Sequence, residues 1–349
     1  MPVSVVILAA GQGKRMNSAL PKVLQPLAGR PMLAHVLASA RALEPAAIHV
    51  VYGHGGDAVK AAFPDADVQW ALQAKQLGTG HAVGQALPSI PDGHQVLVLL
   101  GDVPLVTKRT LQRLVKDSAA GELALLTAVV EEPTGYGRVI RDEHGAVCRI
   151  VEEKDATDDE RRVNEINTGL IAFEAGALRR YLARLDNDNA QGEYYLTDVV
   201  SVLAEMGHRI GCVQAPADET QGVNDRWQLA LAERELRSRT NRHWLLSGVT
   251  MLDPRQTFID VTVRIGRDVT LYPGTMLQGS TVVGDECEVG PDTRLVDCSV
   301  GDGATVAHTV GTDAEVGQGA VVGPYAHLPA GSSVPEAATT GAFYTAPIG

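Results

Sequence analysis

Residues 3–24 read VSVVILAAGQGKRMNSALPKVL, and this stretch determines the fold class expected for the N-terminal part of the chain. The run VSVVILAA predicts a buried strand, because a short continuous apolar run that ends at glycine is typical of a parallel sheet. The loop that follows contains Gly11 and Gly13, then the cations Lys14, Arg15 and Lys22. Open parallel sheets bind ligands at the carboxyl ends of their strands. Flexible backbone and positive charge at that place therefore indicate a phosphate-binding loop.

Two common phosphate motifs do not match this loop. The dinucleotide fingerprint G-x-G-x-x-G requires glycine at position 16, where the chain has Met16, and the P-loop pattern G-x-x-x-x-G-K-[ST] does not occur. The sequence therefore disfavours a nicotinamide-dependent oxidoreductase and a P-loop ATPase. A second candidate group is Asp102 in LLGDVPL, which follows an apolar strand. A carboxylate at such a strand end can hold Mg²⁺ against phosphate oxygens.

Strand and helix patterns alternate from residue 3 to about residue 225. Strands are predicted at VSVVILAA, IHVVYG, QVLVLLGD and LALLTAVV, and helices at PMLAHVLASARAL, TGHAVGQALPSI and TKRTLQRLVKDSAA. This alternation predicts a mostly parallel sheet with helices on both of its faces. We therefore expect an α/β domain of Rossmann-like architecture over residues 1–225. Residues 226–247 contain no glycine or proline and predict a linker helix.

Aliphatic residues recur at every sixth position in the C-terminal part of the chain. They are Ile259, Ile265, Leu271, Leu277, Val283, Val289 and Leu295, and, after a shift of phase, Val310, Val316, Val322, Leu328 and Val334. We expect each of them to point into the interior of a coil made of three short strands. The pattern resembles the left-handed parallel β-helix of hexapeptide-repeat acyltransferases. It assigns residues 248–335 to such a β-helix and residues 336–349, where the period ends, to an irregular tail.

Composition and charge narrow the set of partners. The 349 residues are 45% hydrophobic and carry a net charge of −12, which argues against binding to nucleic acid or to an anionic membrane surface. No stretch approaches the roughly 20 apolar residues of a membrane helix. The four cysteines have neither C-x-x-C nor zinc-ligand spacing, which is typical of reduced thiols. We therefore expect a cytoplasmic protein without membrane insertion and without a nucleic-acid partner.

The motifs of the N-terminal part occur in an order that is specific to one family. LAAGxGxRM…PKVL is followed by QAxQLGTGHA, GDVPL, PTGYGR, VEEKDA, EINTG, GEYYLTD and GVND. In this order they resemble the bacterial N-acetylglucosamine-1-phosphate uridylyltransferases, bifunctional proteins in which a uridylyltransferase domain precedes a hexapeptide β-helix. The resemblance extends from the first strand to about residue 335.

The resemblance implies a reaction and its ligands. An oxygen of N-acetylglucosamine-1-phosphate attacks the α-phosphorus of UTP, pyrophosphate leaves and UDP-N-acetylglucosamine forms, with Mg²⁺ as the cofactor. By the same resemblance, Arg15 and Lys22 act on the triphosphate and the transition state, while Asp102 and Asn224 hold the metal. The other implied binding residues are Leu8, Ala9, Ala10 and Gly11 in the nucleotide loop, Gln73, Gly78 and Thr79 at the uracil, Leu100 and Gly101 beside the metal aspartate, and Gly137, Glu152, Asn167, Tyr194 and Thr197 at the sugar.

The resemblance also bears on the activity of the β-helix and on the assembly of the protein. The chain contains only a few coils, whereas the family's acetyl-coenzyme A contacts lie in later coils, so we expect no acetyltransferase activity from these 349 residues. Hexapeptide β-helices associate through their flat faces, which makes a homotrimer the candidate assembly, although a short β-helix offers less face. Two alternative functions remain. One is a transferase that acts on glucose-1-phosphate with UTP or dTTP, and the other is a non-catalytic hexapeptide scaffold that binds a nucleotide sugar.

Overall fold

The chain divides into two compact units, and each has a hydrophobic core of its own. The computed structural model describes residues 1–53, 55–64 and 66–348. The first unit comprises Met1–Gln25 and Pro31–Ala232, and the second comprises Pro26–Arg30 and Glu233–Gly349. Among the helices of the described residues, none has the length and apolar character needed to cross a bilayer.

The elements up to residue 220 are a mixture of strands and helices. The strands are β1 (Val3–Leu8), β2 (Pro26–Leu27), β3 (Arg30–Pro31), β4 (Ala47–Tyr52), β5 (Gln69–Leu72), β6 (Gln95–Leu100), β7 (Leu123–Val129), β8 (Gly137–Arg141), β9 (Val147–Val151), β10 (Glu165–Glu174) and β11 (Ile210–Gln214). The helices are α1 (Met32–Arg41), α2 (Gly56–Ala61), α3 (Thr79–Ala86), α4 (Lys108–Ser118), α5 (Asp158–Arg161), α6 (Ala175–Leu182), α7 (Asp198–Glu205) and α8 (Ala217–Thr220). Single turns of 3₁₀ helix occur at Lys14–Met16, Lys22–Leu24 and Leu87–Ser89.

The central sheet of the first unit has the order β11-β7-β10-β6-β1-β4-β5, and the hairpin of β8 and β9 is attached to β10. The neighbours β6, β1, β4 and β5 are parallel, as are β7 and β11. Strand β10 is antiparallel to β6 and β7. Because β10 runs in the opposite direction, its first residues lie at the same edge as the carboxyl ends of β1 and β6. The EINTG motif, which begins β10, is thereby brought to the edge that carries the glycine loop.

Helices cover both faces of this sheet, which confirms the prediction drawn from the alternating pattern. Val5 and Ile7 of β1 belong to the core that contains α1 and α4, while Val6 belongs to the opposite core with α3, α6 and α7. All three valine and isoleucine side chains are fully buried. A strand that is covered on both faces needs apolar residues at every position. This two-sided burial explains the continuous apolar run at the start of the chain.

The second unit is a left-handed parallel β-helix, as predicted. It is preceded by helix α9 (Arg226–Leu246), which begins in the first unit and ends in the second. The strands are β12 (Thr250–Met251), β13 (Thr257–Ile259), β14 (Arg264–Ile265), β15 (Thr270–Leu271), β16 (Thr275–Gln278), β17 (Val282–Val283), β18 (Glu288–Val289), β19 (Arg294–Val296), β20 (Ser299–Val300), β21 (Thr305–Val306), β22 (Thr309–Thr312), β23 (Glu315–Val316), β24 (Val321–Val322), β25 (Ala326–Leu328) and β26 (Ser333–Val334), with one 3₁₀ turn at Pro254–Gln256. They form three parallel sheets, each of five strands.

The interior of the β-helix departs from the predicted six-residue pattern at one position. Val310 was expected to point inward, but it is 48% exposed, so this expectation is wrong. Gly311 pairs with Leu295 on one side and Leu328 on the other, and it occupies the inward position instead. Thr309 is fully buried, and successive side chains of a strand point to opposite sides, so the residue between Thr309 and Gly311 must face outward.

The residues after β26 also contact the β-helix. Val321 pairs with Thr339, and His327 pairs with Thr345, each through a single parallel bridge. Ala346 is buried in the core of the second unit. Although the six-residue period has ended, these residues therefore still follow the path of the coil.

Candidate active site

Two adjoining cavities lie at the carboxyl edge of the central sheet in the first unit. The first, which we call the glycine-loop cavity, measures about 580 Å³ and is lined by residues that include Ala9, Ala10, Gly11, Lys14, Lys22, Gln73, Gln76, Gly78 and Glu193. The second, which we call the Glu152 cavity, measures about 230 Å³ and is lined by residues that include Tyr136, Gly137, Glu152, Asn167, Thr197, Thr220, Gly222 and Asn224. Leu8, Thr79, Leu100 and Asp102 line both cavities. The two cavities therefore meet where β1 and β6 end.

The glycine loop allows Lys22 to approach the strand end closely. Gly13 has φ +59°, and a Cβ atom at this position would come within 2.6 Å of the Cβ atom of Lys22. Gly11 is different, because a Cβ atom there would have no described heavy atom within 4 Å. Gly13 is thus required by the fold of the loop, whereas Gly11 keeps part of the cavity open.

The ammonium of Lys22 lies between two oxygen atoms. Lys22 Nζ forms an ion pair with Asp102 Oδ2 and donates a hydrogen bond to Asn224 Oδ1 at 3.1 Å. The side chains of Lys22 and Asp102 are only 12% and 18% exposed. The backbone oxygen of Asp102 accepts from Val223 N at 2.8 Å, which holds the segment carrying Asn224 against the end of β6. Three residues that are distant in sequence therefore converge on one cation position.

The oxygen atoms of Asp102 and Asn224 fit a Mg²⁺ ion. Both atoms contact the same ammonium, so they are close enough to share one cation. Mg²⁺ in such sites takes one or two protein oxygens and completes its shell with water and substrate phosphates. The described residues contain no cluster of three or more His, Cys, Asp or Glu that could hold a metal. Asp102 and Asn224 could hold such an ion together with a substrate phosphate.

A second group of predicted residues lies at the start of α3. Gln73 is 3% exposed, and its Nε2 donates to Gly78 O at 3.1 Å. Gly78 has φ +104°, and a Cβ atom there would come within 2.6 Å of Tyr194 O, so no larger residue fits. Thr79 Oγ1 accepts from Leu196 N at 3.0 Å. These contacts hold Gln73, Gly78 and Thr79 in one arrangement at the wall of the glycine-loop cavity.

A half-buried carboxylate, that of Glu152, lines the Glu152 cavity. Burial raises the pKa of Glu152, and the nearby charge of Asp198 raises the pKa further, while a hydrogen bond from Thr197 opposes this rise. That bond runs from Thr197 Oγ1 to Glu152 Oε1 at 3.1 Å. Asn167 lies beside a register break in β10, and its Oδ1 accepts from Gly169 N at 3.2 Å. Carboxylate, hydroxyl and carboxamide together supply the donors and acceptors that a sugar requires.

Three of the predicted residues do not line either cavity. Arg15 is exposed on its 3₁₀ turn, whereas its neighbour Lys14 faces the glycine-loop cavity. Gly101 is buried, and its amide donates to Leu8 O at 2.9 Å. Tyr194 lines a separate cavity beside α3. The roles expected for these three residues stay predictions.

Several lining residues were not singled out from the sequence, and five of them are considered further: Gln76, Tyr136, Glu193, Thr220 and Gly222. Four of them lie inside the motifs QLGTGHA, PTGYGR, GEYYLTD and GVND, so the motifs identified the segments but not the individual side chains. Thr220 lies outside every motif, and no sequence signal distinguishes it.

The fold and the site together define a nucleotidyltransferase. Residues 5–219 match the family model described as the MobA-like NTP transferase domain. The bifunctional protein GlmU of Alkalilimnicola ehrlichii is 52% identical over 344 residues, which cover 98% of this chain and 74% of that protein. The GlmU proteins of Stenotrophomonas maltophilia and Caldanaerobacter subterraneus are 51% and 46% identical, over 98% and 93% of this chain and 75% and 71% of their own lengths. The chain belongs to the GlmU family, and it is an enzyme of the nucleotidyltransferase class.

Proposed function

We propose that the chain transfers a uridylyl group from UTP to N-acetylglucosamine-1-phosphate, which yields UDP-N-acetylglucosamine and pyrophosphate. The observation that carries the proposal is the shared wall of the two cavities, where Asp102 lies beside Lys22. The glycine-loop cavity suits a base and a triphosphate, and the Glu152 cavity suits a sugar. The phosphates of the two substrates would then meet at the cation position. The similarity to GlmU proteins supports the choice of substrates.

The reaction requires alignment and charge neutralisation more than proton transfer. The attacking phosphate oxygen is already an anion, so no general base is needed, and the protein must bring two anions together in line. Lys22 would neutralise charge on the pentavalent phosphorus and on the departing pyrophosphate. Lys14 adds a second cation to the same cavity. The open position at Gly11 allows backbone amides to approach the triphosphate.

Mg²⁺, when bound, supplies further positive charge to the phosphate oxygens. Asp102 and Asn224 would hold the ion. Lys22 Nζ now lies between these two oxygen atoms, so its ammonium would leave this position and contact phosphate when the metal is present.

Glu152 is expected to contribute mainly to sugar binding. Glu152→Gln should raise the KM for N-acetylglucosamine-1-phosphate about tenfold, because a charged hydrogen-bond acceptor is lost from the half-buried wall of the cavity. The KM for UTP should change little. Steady-state kinetics with each substrate varied in turn would measure both effects. The exposed Glu143→Gln is the matched control and should behave as the unmodified chain; an equal rise in both KM values would count against a sugar-specific role.

The two glycines of the loop are expected to respond differently to a methyl group. Gly13→Ala should lower the free energy of unfolding by about 1–2 kcal/mol, because its φ is positive and the new Cβ collides with Lys22. Gly11→Ala should leave the Tm unchanged but raise the KM for UTP, because the methyl group enters the cavity. Thermal unfolding and kinetics of both variants test this, and identical behaviour of the pair would refute it.

Pyrophosphate release tests the proposal as a whole. The full chain is assayed with UTP, dTTP and CTP against N-acetylglucosamine-1-phosphate and glucose-1-phosphate, with Mg²⁺ and then with the metal removed by a chelator. We expect turnover with UTP and the N-acetyl sugar, and none without metal. A preference for glucose-1-phosphate would favour the alternative transferase. Binding of UDP-N-acetylglucosamine without any turnover would favour the non-catalytic scaffold.

Two further expectations from the resemblance remain predictions. One is that these 349 residues do not acetylate glucosamine-1-phosphate, which a thiol-release assay with acetyl-coenzyme A tests. The other is the homotrimer, which light scattering of the chain in solution tests.

A further inference from the structure

We propose that Arg138 and Glu153 form a clamp that holds residues 135–137 in the wall of the Glu152 cavity and thereby sets the affinity of this cavity for the sugar phosphate. The inference rests on the proposed uridylyl transfer, since it concerns the second substrate of that reaction. All three residues of the segment line the cavity. In the described part of the chain, the two residues of the clamp do not line it, so they act through the segment as positioning residues.

The guanidinium of Arg138 is the buried half of the clamp. Arg138 is the second residue of β8 and is only 1% exposed. Its Nη1 donates to the backbone oxygen of Tyr136, and its Nη2 donates to Glu153 Oε2 at 2.8 Å. A guanidinium can make both bonds at once because its donors are fixed in one planar fork. Arg138 Nε has no hydrogen-bond partner among the described residues, so the cost of burying this charge is only partly offset. Uncompensated costs of this kind are expected at functional sites.

The carboxylate of Glu153 extends the clamp to a second backbone group of the wall. Glu153 Oε2 accepts from Gly135 N at 3.0 Å as well as from Arg138. The bond from Gly135 lowers the pKa of Glu153 most, and Arg138 lowers it further, so the carboxylate is ionised at neutral pH. The other hydrogen bond described for the backbone atoms of Gly135 and Tyr136 stays within their own turn, from Tyr136 N to Pro133 O at 3.2 Å. The clamp therefore supplies the contacts that tie this backbone to the turn after β9.

The register of the sheet relates the clamped segment to the other groups of the cavity. Gly137 pairs with Asn167 of β10, and Arg138 pairs with the last residue of β9, which precedes Glu152. A Cβ atom at Gly137 would come within 3.3 Å of Glu152 Oε2, so the segment lies directly against this carboxylate. Polar groups that bind a ligand must be held by supporting contacts to within a fraction of an ångström. Release of the segment should therefore weaken binding of the sugar phosphate and leave the glycine-loop cavity unchanged.

Steady-state KM values for the two substrates test the inference. Arg138→Lys keeps the charge but cannot make both bonds of the fork, and Glu153→Gln keeps the shape but removes the charge. For each variant we expect the KM for N-acetylglucosamine-1-phosphate to rise about tenfold and the KM for UTP to change less than about twofold. A pair with a merely structural role would lower the Tm and leave this ratio of KM values unchanged.

Arg161→Gln is the matched control. The side chain of Arg161 is 43% exposed, and its Nε lies 3.8 Å from the other carboxylate oxygen of Glu153. Its backbone oxygen accepts from Arg138 at 3.5 Å, and this contact remains after the substitution. The variant thus removes a cation from Glu153 without removing a bond to residues 135–137. Both KM values should stay those of the unmodified chain.

Amide hydrogen exchange followed by mass spectrometry gives a readout that does not depend on turnover. In Glu153→Gln, the peptide that contains residues 135–137 should exchange about tenfold faster, because the Gly135 amide loses its charged acceptor. Peptides from β6 should keep their exchange rates. An unchanged rate in residues 135–137, or an equal increase in β6, would overturn the clamp.

The outcomes separate this inference from the proposed function. If the unmodified chain releases no pyrophosphate with any sugar phosphate, the uridylyl transfer fails, and calorimetric binding of UDP-N-acetylglucosamine and of UTP then tests the clamp in place of KM. If both clamp variants retain the KM or affinity for the sugar ligand, or lose both ligands equally, the role of the clamp is overturned. If either variant lowers the Tm strongly, Arg138→Met combined with Glu153→Leu leaves no unpaired charge, and the same selective loss is expected of it.

Discussion

Replacement of Lys22 by alanine is expected to lower kcat for pyrophosphate release by about 100- to 1000-fold, the range seen when one preorganised donor to a developing charge is removed. The ammonium of Lys22 is nearly buried at the junction of the two cavities, where it contacts Asp102 and Asn224. No water can take its place with the same charge. The KM for the sugar phosphate should change much less, because the Glu152 cavity is lined by other groups.

Lys14→Ala is the matched control for Lys22. Lys14 lines the glycine-loop cavity but is exposed on its 3₁₀ turn, and none of the described ion pairs joins it to Asp102. We expect it to affect the KM for UTP more than kcat. Steady-state kinetics of both variants, with Tm values to confirm folding, provide the measurement. If both lysines proved equally dispensable for kcat, the assignment of Lys22 to the transition state would be wrong.

Asp102→Asn is the second substitution with a large expected effect, about 1000-fold or more in turnover at a fixed Mg²⁺ concentration. The change keeps the shape of the side chain but removes the charge that faces the cation position. Part of the loss should be recovered at higher Mg²⁺, because the remaining oxygen of residue 102 and Asn224 still bind the ion weakly. A Mg²⁺ titration of kcat in the variant and in the unmodified chain measures this shift.

Asp198→Asn is a suitable control for Asp102→Asn. Asp198 is a half-buried acid of the same unit, but it is not among the residues that line the two cavities. Burial raises the pKa of Asp198 to about 6, with a further contribution from the charges of Asp186 and Asp155. Because the pKa of this carboxyl is higher in the folded state than in the unfolded state, its ionisation lowers the free energy of unfolding as the pH rises from about 4 to about 6. The loss persists at higher pH. Asp198→Asn should therefore retain turnover and be as stable as the unmodified chain at pH 7, or more so.

An unchanged Mg²⁺ dependence in Asp102→Asn would contradict the proposed metal site. A loss of turnover in Asp198→Asn equal to that in Asp102→Asn would show that the effect comes from the removal of any acid in this unit. The two variants therefore distinguish metal binding from general electrostatics.

Much of the fold could be predicted because its signals are local. The buried strand β1 is recognisable from six apolar and small residues, since burial on both faces of a sheet leaves no polar position. The β-helix is recognisable from its six-residue period, since each short strand and turn repeats the same geometry. Val310 and Gly311 are the exception to this period. The coil is one or two residues shorter there, and only the pairing of Gly311 with Leu295 and Leu328 reveals which residue faces inward.

The sequence predicted the segments that form the site, but it did not predict the direction of every side chain. The motif order identified the segments, and most of the named residues line the two cavities. The direction of each side chain did not follow from the motifs. On the 3₁₀ turn after Gly13, Lys14 rather than Arg15 faces the cavity, and a turn of only three residues takes its orientation from the packing around it.

The sequence by itself determined the two fold classes and the segments that carry the chemistry, because strand burial, repeat period and glycine position are properties of neighbouring residues. Only the tertiary structure brought Lys22, Asp102 and Asn224 to one cation position, since they lie 80 and 202 residues apart. Such contacts depend on how strands are ordered in the sheet and how loops pack on its edge. No local pattern in the chain specifies contacts between residues so far apart in sequence.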